Sequence, residues 1–190
     1  MKKYLISAYI LFLFSFGNVF SQVTSEQIHY GASSLSMAAS DIALPKSSWS
    51  VFVNAAGIIE QEGLTFVASS HSQFGQDYLS HSLFGLQFKN SKYGSFGISL
   101  ENSAVDYSGN NLATETAIGI HQGISLRADR NSSFSIGYGL KSYTVDYGSS
   151  AGPSGDGSDG INLGSLNAFG LNVSFLGSLG KRIRVGAKAL

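Results

Sequence analysis

The chain has 190 residues and no formal net charge, because 12 basic residues balance 12 acidic ones. It contains no cysteine, which excludes disulfides, thiol chemistry and zinc sites built on cysteine. No basic stretch is interleaved with aromatic residues, so no nucleic acid is expected as a partner. Charged residues make up only 13% of the chain, compared with about a quarter in ordinary soluble domains.

Residues 1–21 have the features of a secretory signal peptide. Two lysines form the basic start, Tyr4–Phe16 forms the apolar core, and cleavage is expected between Ser21 and Gln22. The apolar core spans about 13 residues, too few to cross a bilayer comfortably as a helix. An uncleaved anchor is the less favoured alternative. The sequence therefore predicts export, and in a Gram-negative cell the mature chain would lie in the periplasm or the outer membrane.

Residues 22–63 do not alternate like a strand for most of their length. Pro45 interrupts any regular pattern, and Val51–Val53 is a short apolar run. Asn54–Gly57 follows as a turn or a single helical turn. We interpret this region as a plug-like segment inside a barrel formed by residues 64–190.

From Leu64 onward the sequence alternates with a period of two, which predicts β-strands. In the clearest case, Ile118 and Ile120 share one face while Gly119 and His121 share the other. The predicted strands are Leu64–His71, Tyr78–Phe88, Gly94–Glu101, Thr116–Leu126, Phe134–Val145, Leu166–Leu176 and Arg182–Leu190. The second strand changes parity, which predicts a β-bulge near its middle.

The two faces of these strands differ in an unusual way. One face is large and apolar, and the other is small or polar with almost no charge. A soluble sheet normally places charged residues on its wet face, whereas a membrane barrel turns its apolar face to lipid. The pattern predicts an all-β, antiparallel transmembrane β-barrel. A secreted soluble β-sandwich, in which the apolar faces pair with each other, is the alternative.

The connections between strands also fit a barrel in the outer membrane. Short turns are predicted at Lys89–Tyr93, Ala128–Ser133 and Gly177–Lys181, and long outer loops at Asn102–Glu115 and Asp146–Ser165. Aromatic residues near strand ends suit an interfacial girdle, although core or loop packing explains any single one equally well. These are Tyr78, Phe88, Tyr93, Phe134, Tyr143 and Tyr147.

The predicted strand count is odd, whereas single-chain bacterial barrels have even numbers of strands. An open sheet edge in lipid would leave backbone groups without hydrogen bonds. The chain also stops at Leu190 within a predicted strand. We therefore expect these strands to be part of a larger barrel.

No motif predicts catalysis, and neither an enzyme activity nor a cofactor is expected. His71, His81 and His121 lie on or beside the small-residue face without metal-ligand spacing, which favours either lumen-lining or hydrogen-bonded histidines. No serine lies in a G-x-S-x-G motif. Asp156 and Asp159 suggest calcium, but an EF-hand spacing is absent, so an exposed flexible loop is favoured.

Basic residues cluster at the last predicted turn. Lys181, Arg182 and Arg184 are interpreted either as contacts for anionic lipid headgroups or as an ordinary solvated charge cluster.

The segment before the strands resembles a known family. Residues 31–39, with Gly31, Ala32 and Met37, are similar to the G-A-R-x-x-x-M-G-G opening of the PorV/PorQ group of the FadL-like outer-membrane superfamily. Residues 51–58 resemble the group's run into N-P-A-G-L. The matching positions there are Asn54, Ala55, Ala56 and Gly57, with Ala55 in place of proline. Ser33 also replaces the usual arginine.

This resemblance implies a barrel of about fourteen strands with an N-terminal plug. It implies one of two roles in the outer membrane of a Gram-negative bacterium, with outer-membrane lipid as a partner. PorV/PorQ members are accessory parts of type IX protein secretion, which suggests secretion-system proteins or exported cargo as partners. FadL-like members transport hydrophobic small molecules. The motifs are closer to the first group, and neither group implies catalytic residues or a cofactor.

Overall fold

The computed structural model describes residues 31–189, except residues 39, 45, 73–74, 91, 108, 151, 156–157 and 181. The predicted signal peptide therefore lies outside the described residues. The described part begins with two short helices, α1 (Gly31–Ser36) and α2 (Ser50–Val53), and a 3-10 helix (Ala55–Glu60). None of the described helices has the length and apolar character needed to span a membrane.

Seven strands follow and form one antiparallel sheet in sequence order, which curls into a half-barrel. They are β1 (Leu64–Ser72), β2 (Leu79–Asn90), β3 (Gly94–Tyr107), β4 (Asn110–Ala128), β5 (Ser132–Ser149), β6 (Asn162–Leu179) and β7 (Ile183–Ala189). Within the described residues, β1 pairs only with β2, and β7 pairs only with β6. The predicted all-β fold of seven antiparallel strands is confirmed.

The strands are connected differently at their two ends. We call the end with the turns β2–β3, β4–β5 and β6–β7 the turn rim, and the end with the connections β1–β2, β3–β4 and β5–β6 the loop rim. Because consecutive strands are antiparallel, every connection at one rim joins strands that end there.

Alternation along the strands places large apolar residues on the outer face and small or polar residues on the inner face. Ile120 is 61% exposed and Phe169 is 77% exposed, although both lie inside long strands. Their inner-face neighbours His121 and Lys141 are buried. The sequence-based assignment of residues to two faces is confirmed, and the inner face is the buried one.

Strands β1 to β6 are longer than predicted, and one predicted loop is wrong. Most of Asn102–Glu115 is a continuation of β3 and β4, which leaves only residues 108–109 between them. Cross-strand polar contacts hold this extension together, including a 3.0 Å bond from the Asn102 amide to the Thr116 hydroxyl. The second predicted loop is shorter than expected but real, since residues 150–161 separate β5 from β6.

The predicted bulge in the middle of β2 is also wrong. Its register against β1 and β3 is continuous. Leu83 causes the apparent change of parity, because this apolar residue lies on the inner face and is fully buried. It belongs to a hydrophobic cluster with Val51 and Phe52 from the N-terminal segment. The register shifts that do occur lie between Val105 and Asp106 and between Ser125 and Arg127.

Most of the predicted aromatic girdle is exposed, with one exception. Tyr143 is 4% exposed and lies on the inner face, so its assignment to the girdle is wrong. The exposed members are Tyr78, Phe88, Tyr93, Phe134 and Tyr147.

Candidate functional site on the inner face of the sheet

Residues 41–44 and 46–61, which we call the inner segment, lie against the inner face of the half-barrel. Val51, Phe52 and Ile58 of this segment pack with Val67 and Leu83 of the sheet in a buried hydrophobic cluster. Trp49 packs at the edge of the cluster, with its ring 5.9 Å from the ring of Phe52. The inner segment is therefore held partly by ordinary burial of apolar side chains.

Glycines on the inner face let the segment approach the sheet backbone directly. Gly123 and Gly137 are opposite each other in the register of β4 and β5. A Cβ atom on Gly123 would lie 2.6 Å from the carbonyl oxygen of Ala55, and one on Gly137 would overlap the backbone nitrogen of Ala56. Any side chain at Gly137 would force the segment away from the sheet, because protein interiors have no free space for such an overlap.

Asn54 fastens the start of the 3-10 helix to both its own segment and β6. Its side-chain oxygen accepts a 3.0 Å bond from the Ala56 N–H, which caps the helix. Its amide nitrogen donates to the carbonyl oxygens of Ile42 at 2.8 Å and Phe175 at 3.1 Å. The Ala56 N–H is also 3.1 Å from the hydroxyl of Ser174. The side chain of Asn54 is thus an inner-face anchor.

Two basic residues of β7 bind the other side of the inner segment. The Lys188 ammonium donates to the Phe52 carbonyl at 3.2 Å. Arg184 donates to the Ala43 carbonyl at 3.0 Å and forms a partly buried ion pair with Glu60. Both contacts use backbone carbonyls of the inner segment.

The residues singled out by the family resemblance fall into two groups. Asn54, Ala55, Ala56 and Gly57 are all buried against the sheet. Gly31 has a φ of 71° and lies so close to the Trp49 ring that a Cβ atom would be 2.5 Å from it. Glycine suits this position because its φ is positive and because a side chain would clash with the Trp49 ring.

The remaining two motif residues are not part of the contact with the sheet. Ala32 is exposed, and Met37 is partly exposed just after α1. The structure therefore brings Asn54–Gly57 to the sheet but leaves Ala32 and Met37 outside this site.

Beyond the inner segment, toward the loop rim, a buried ion pair crosses the inner face. The Lys141 ammonium lies 2.7 Å from the Glu101 carboxylate, and the two side chains are 1% and 0% exposed. Lys141 is on β5 and Glu101 is on β3, so the pair bridges over β4. Gly119 on β4 leaves the necessary space, since a Cβ there would meet Lys141 Cγ at 3.0 Å.

The histidines lie along the same face. His121 is 2.9 Å from the Ser99 hydroxyl, and His81 is 2.6 Å from the Ser103 hydroxyl. His71 contacts His81 edge to face, with ring centroids 5.3 Å apart. The prediction of hydrogen-bonded histidines is confirmed for His81 and His121. The described residues contain no group of three or more His, Cys, Asp or Glu residues able to hold a metal ion.

The loop considered for calcium is only partly described. Asp156 lies outside the described residues. Asp159 accepts a 2.5 Å hydrogen bond from the Ser154 hydroxyl and a 3.3 Å bond from the Ser154 N–H. The hydroxyl bond lowers the pKa of the Asp159 carboxyl. One oxygen of this carboxylate is therefore used within the loop.

The sequence-based predictions did not include the buried pair of Glu101 and Lys141 or the contact made by Lys188, although part of the signal was present. The interpretation of Arg184 as a headgroup contact or part of a solvated charge cluster is wrong, because its side chain binds Ala43 and Glu60 of the inner segment. Glu101 and Lys141 both fall on the small-residue face by simple alternation, and most residues on that face are uncharged. Arg184 and Lys188 also share one face of β7. Their partners could not be assigned, because alternation does not give the register between strands that are not adjacent.

Comparison with known proteins does not identify the chain. No family model, curated protein or solved structure matches it.

Proposed function

We propose that the protein is a non-enzymatic outer-membrane β-barrel protein whose outer face contacts lipid. The observation that carries this proposal is the exposure of large apolar residues on the outer face of the sheet, where Ile118, Ile120 and Leu140 are exposed at mid-strand. The opposite face is small, polar and buried. In water such an outer face would favour aggregation, whereas in lipid it is the normal surface of a barrel.

The inner segment is proposed to act as the plug of this barrel. Its close contact with Gly123 and Gly137, and the anchor at Asn54, support a firmly docked segment. A wide apolar path along the inner face would need this segment to leave. This argues for an accessory role in type IX secretion, as the resemblance of residues 31–58 implies, over transport of hydrophobic small molecules.

Membrane insertion can be tested by placing a charge at two depths on the outer face. Ile120 lies near the middle of β4, and Leu179 lies at the end of β6 beside the turn rim. In lipid, Ile120→Arg should destabilise the folded protein by about 2–4 kcal/mol and Leu179→Arg by about 0–1 kcal/mol. Urea unfolding in phospholipid vesicles measures both. Equal small effects, with the protein recovered in the soluble fraction after a carbonate wash, would favour the soluble β-sandwich instead.

The two roles can be separated by shortening the loop between β5 and β6. Ser150 N donates to Ile161 O at 2.9 Å, so the loop ends are already paired as in a hairpin. Replacing residues 151–160 with Asn-Gly should therefore leave the strands intact. Lost secretion of exported cargo with normal uptake supports the secretion role. Lost uptake of hydrophobic molecules with normal secretion supports transport.

A control variant alters two exposed side chains at the opposite rim. Substituting Ala for Asp129 and Arg130 changes the β4–β5 turn without touching the loop rim. Under the secretion role this variant should export cargo normally. A secretion defect of equal size in both variants would contradict a role for the loop.

A further inference from the structure

The charges of this neutral chain are separated between the two rims. The sequences of the turn-rim connections are Lys-Asn-Ser-Lys-Tyr at 89–93, Arg-Ala-Asp-Arg-Asn at 127–131 and Gly-Lys-Arg-Ile-Arg at 180–184. Asp129 is the only acidic residue among them. Residues 72–78, 102–115 and 146–165, toward the loop rim, contain acidic residues but no lysine or arginine. The connections at the two rims therefore differ in the sign of their charge. Glu60 and Glu62, which precede β1, also lie near the turn rim, but Glu60 binds Arg184 and Glu62 lies 3.7 Å from Lys46.

Several of the turn-rim cations are available for an external partner. Lys89, Lys92, Arg130 and Arg182 are exposed, and none of the four forms an ion pair with another described residue. Two other bases at this rim are already engaged. Arg127 lies 3.7 Å from Asp129, and Arg184 binds Glu60 within the inner segment.

Exposed apolar side chains lie at the same rim as these cations. Phe88 near the end of β2 and Ile183 at the start of β7 are exposed, and the Lys92 ammonium lies 5.1 Å from the centre of the exposed Tyr93 ring. A basic group next to an aromatic and an apolar wall matches the two parts of a phospholipid. The cation meets the headgroup phosphate, while the apolar side chains meet the acyl chains.

We propose that the turn rim selectively binds anionic phospholipids, with their phosphates at Lys89, Lys92, Arg130 and Arg182. This inference rests on the membrane insertion proposed above. The loop rim supplies the opposite preference, because Asp77, Asp106 and Asp146 repel anionic headgroups. The protein therefore suits an asymmetric membrane. The leaflet at the turn rim would contain more phospholipid with an exposed phosphate than the leaflet at the loop rim.

The test uses the native protein, extracted in detergent and reconstituted into phosphatidylcholine vesicles. Trace amounts of spin-labelled phosphatidylglycerol or phosphatidylcholine report which lipid is motionally restricted at the protein surface. We expect a several-fold selection of phosphatidylglycerol, weakened by salt as exposed charges are screened. The variant with Lys89→Gln, Lys92→Gln, Arg130→Gln and Arg182→Gln should select the two lipids about equally.

A matched variant neutralises charges at the opposite rim. With Asp77→Asn, Asp106→Asn and Asp146→Asn, selection of phosphatidylglycerol should persist. Equal restriction of both lipids by the unmodified protein would overturn the inference, and so would undiminished selection by the glutamine variant. Preferential restriction of spin-labelled lipid A over phosphatidylglycerol would overturn it as well.

The same experiment separates this inference from the membrane proposal on which it rests. If neither labelled lipid is restricted and the protein does not float with the vesicles, membrane insertion itself has failed. If both lipids are restricted equally, insertion stands and only the lipid selectivity is lost.

Discussion

The ammonium group of Lys141 lies 2.7 Å from the carboxylate of Glu101, although the two residues belong to strands that are not neighbours. Gly119 on the intervening strand makes this contact possible. The pair links β3 and β5 by side chains across β4, in addition to the backbone ladders. It also lies on a face where most residues are small and uncharged.

Replacing Lys141 with Met should destabilise the fold strongly. The substitution leaves the Glu101 carboxylate buried without its nearest cation, and breaking such a pair costs about 3–5 kcal/mol. Urea unfolding followed by the fluorescence of Trp49 gives the free energy directly. The double variant Lys141→Met and Glu101→Leu should recover much of the loss, because neither charge of this buried pair remains.

An exposed ion pair provides the control. Lys46 lies 3.7 Å from Glu62, and their side chains are 71% and 81% exposed. Lys46→Met should change stability by less than about 1 kcal/mol. Losses of the same size for Lys46→Met and Lys141→Met would contradict a special contribution of the buried pair.

Replacing Gly137 with Val should displace the inner segment without dismantling the sheet. The new side chain would occupy the space of the Ala56 backbone. The chain has no cysteine, so Ile58→Cys introduces a single thiol at a fully buried position. In the Gly137→Val background this thiol should react with a maleimide at least about tenfold faster, because local opening exposes it.

Gly177→Ala serves as the comparison for this experiment. A Cβ atom there would have its nearest neighbour at 3.7 Å, which is ordinary contact. Labelling of the cysteine should stay slow in this variant. Fast labelling in both backgrounds would mean that the segment is loosely held in the unaltered protein.

Asn54→Ala should weaken both the helix cap and the attachment to β6. We expect a loss of about 2 kcal/mol in unfolding free energy, since the capping bond and the two hydrogen bonds donated to backbone carbonyls disappear. Asn54→Ser keeps an oxygen for the cap but has no amide to donate to Ile42 and Phe175. Its loss should therefore be smaller, and a loss equal to that of the alanine variant would assign the whole effect to the two donated bonds.

Ser154→Ala should raise the pKa of Asp159 toward its usual value of 3.8. In the unaltered loop the serine hydroxyl stabilises the carboxylate and lowers this pKa. The associated stabilisation is complete above the unfolded-state pKa and is lost as the pH falls through the folded-state value. Carboxyl-carbon NMR titration measures the midpoint, which should rise in the variant. An unchanged midpoint would show that the hydroxyl does not contact the carboxylate in solution.

The sequence predicted the fold correctly where the size and polarity of each residue determine which face of the sheet it occupies. Ile118 and Ile120 alternate with Gly119 and His121, and the structure keeps that division. Gln122 breaks the apolar face, but its amide donates to the Tyr93 carbonyl and its oxygen accepts from the Tyr138 hydroxyl. A polar residue on that face is thus satisfied by its neighbours.

Prediction failed where distant contacts decide the outcome. Leu83 suggested a bulge because nothing local shows that Val51 and Phe52 cover an apolar patch on the inner face. Asn102–Glu115 suggested a loop because its residues have low strand propensity, whereas the ladder between β3 and β4 extends through it. The anchors at Asn54 and Arg184 depend on register with β6 and on the fold of the inner segment, which spacing alone does not encode.

The direction of the two outermost strands limits how this sheet can close. All six pairings are antiparallel, so β1 and β7 run the same way. Strands that bridge β7 back to β1 with antiparallel pairing throughout must be odd in number, and the first and last must run against β1. A second copy in the same orientation would meet β7 with its own β1 in parallel. Side-by-side pairing of two such copies therefore cannot produce a fully antiparallel cylinder.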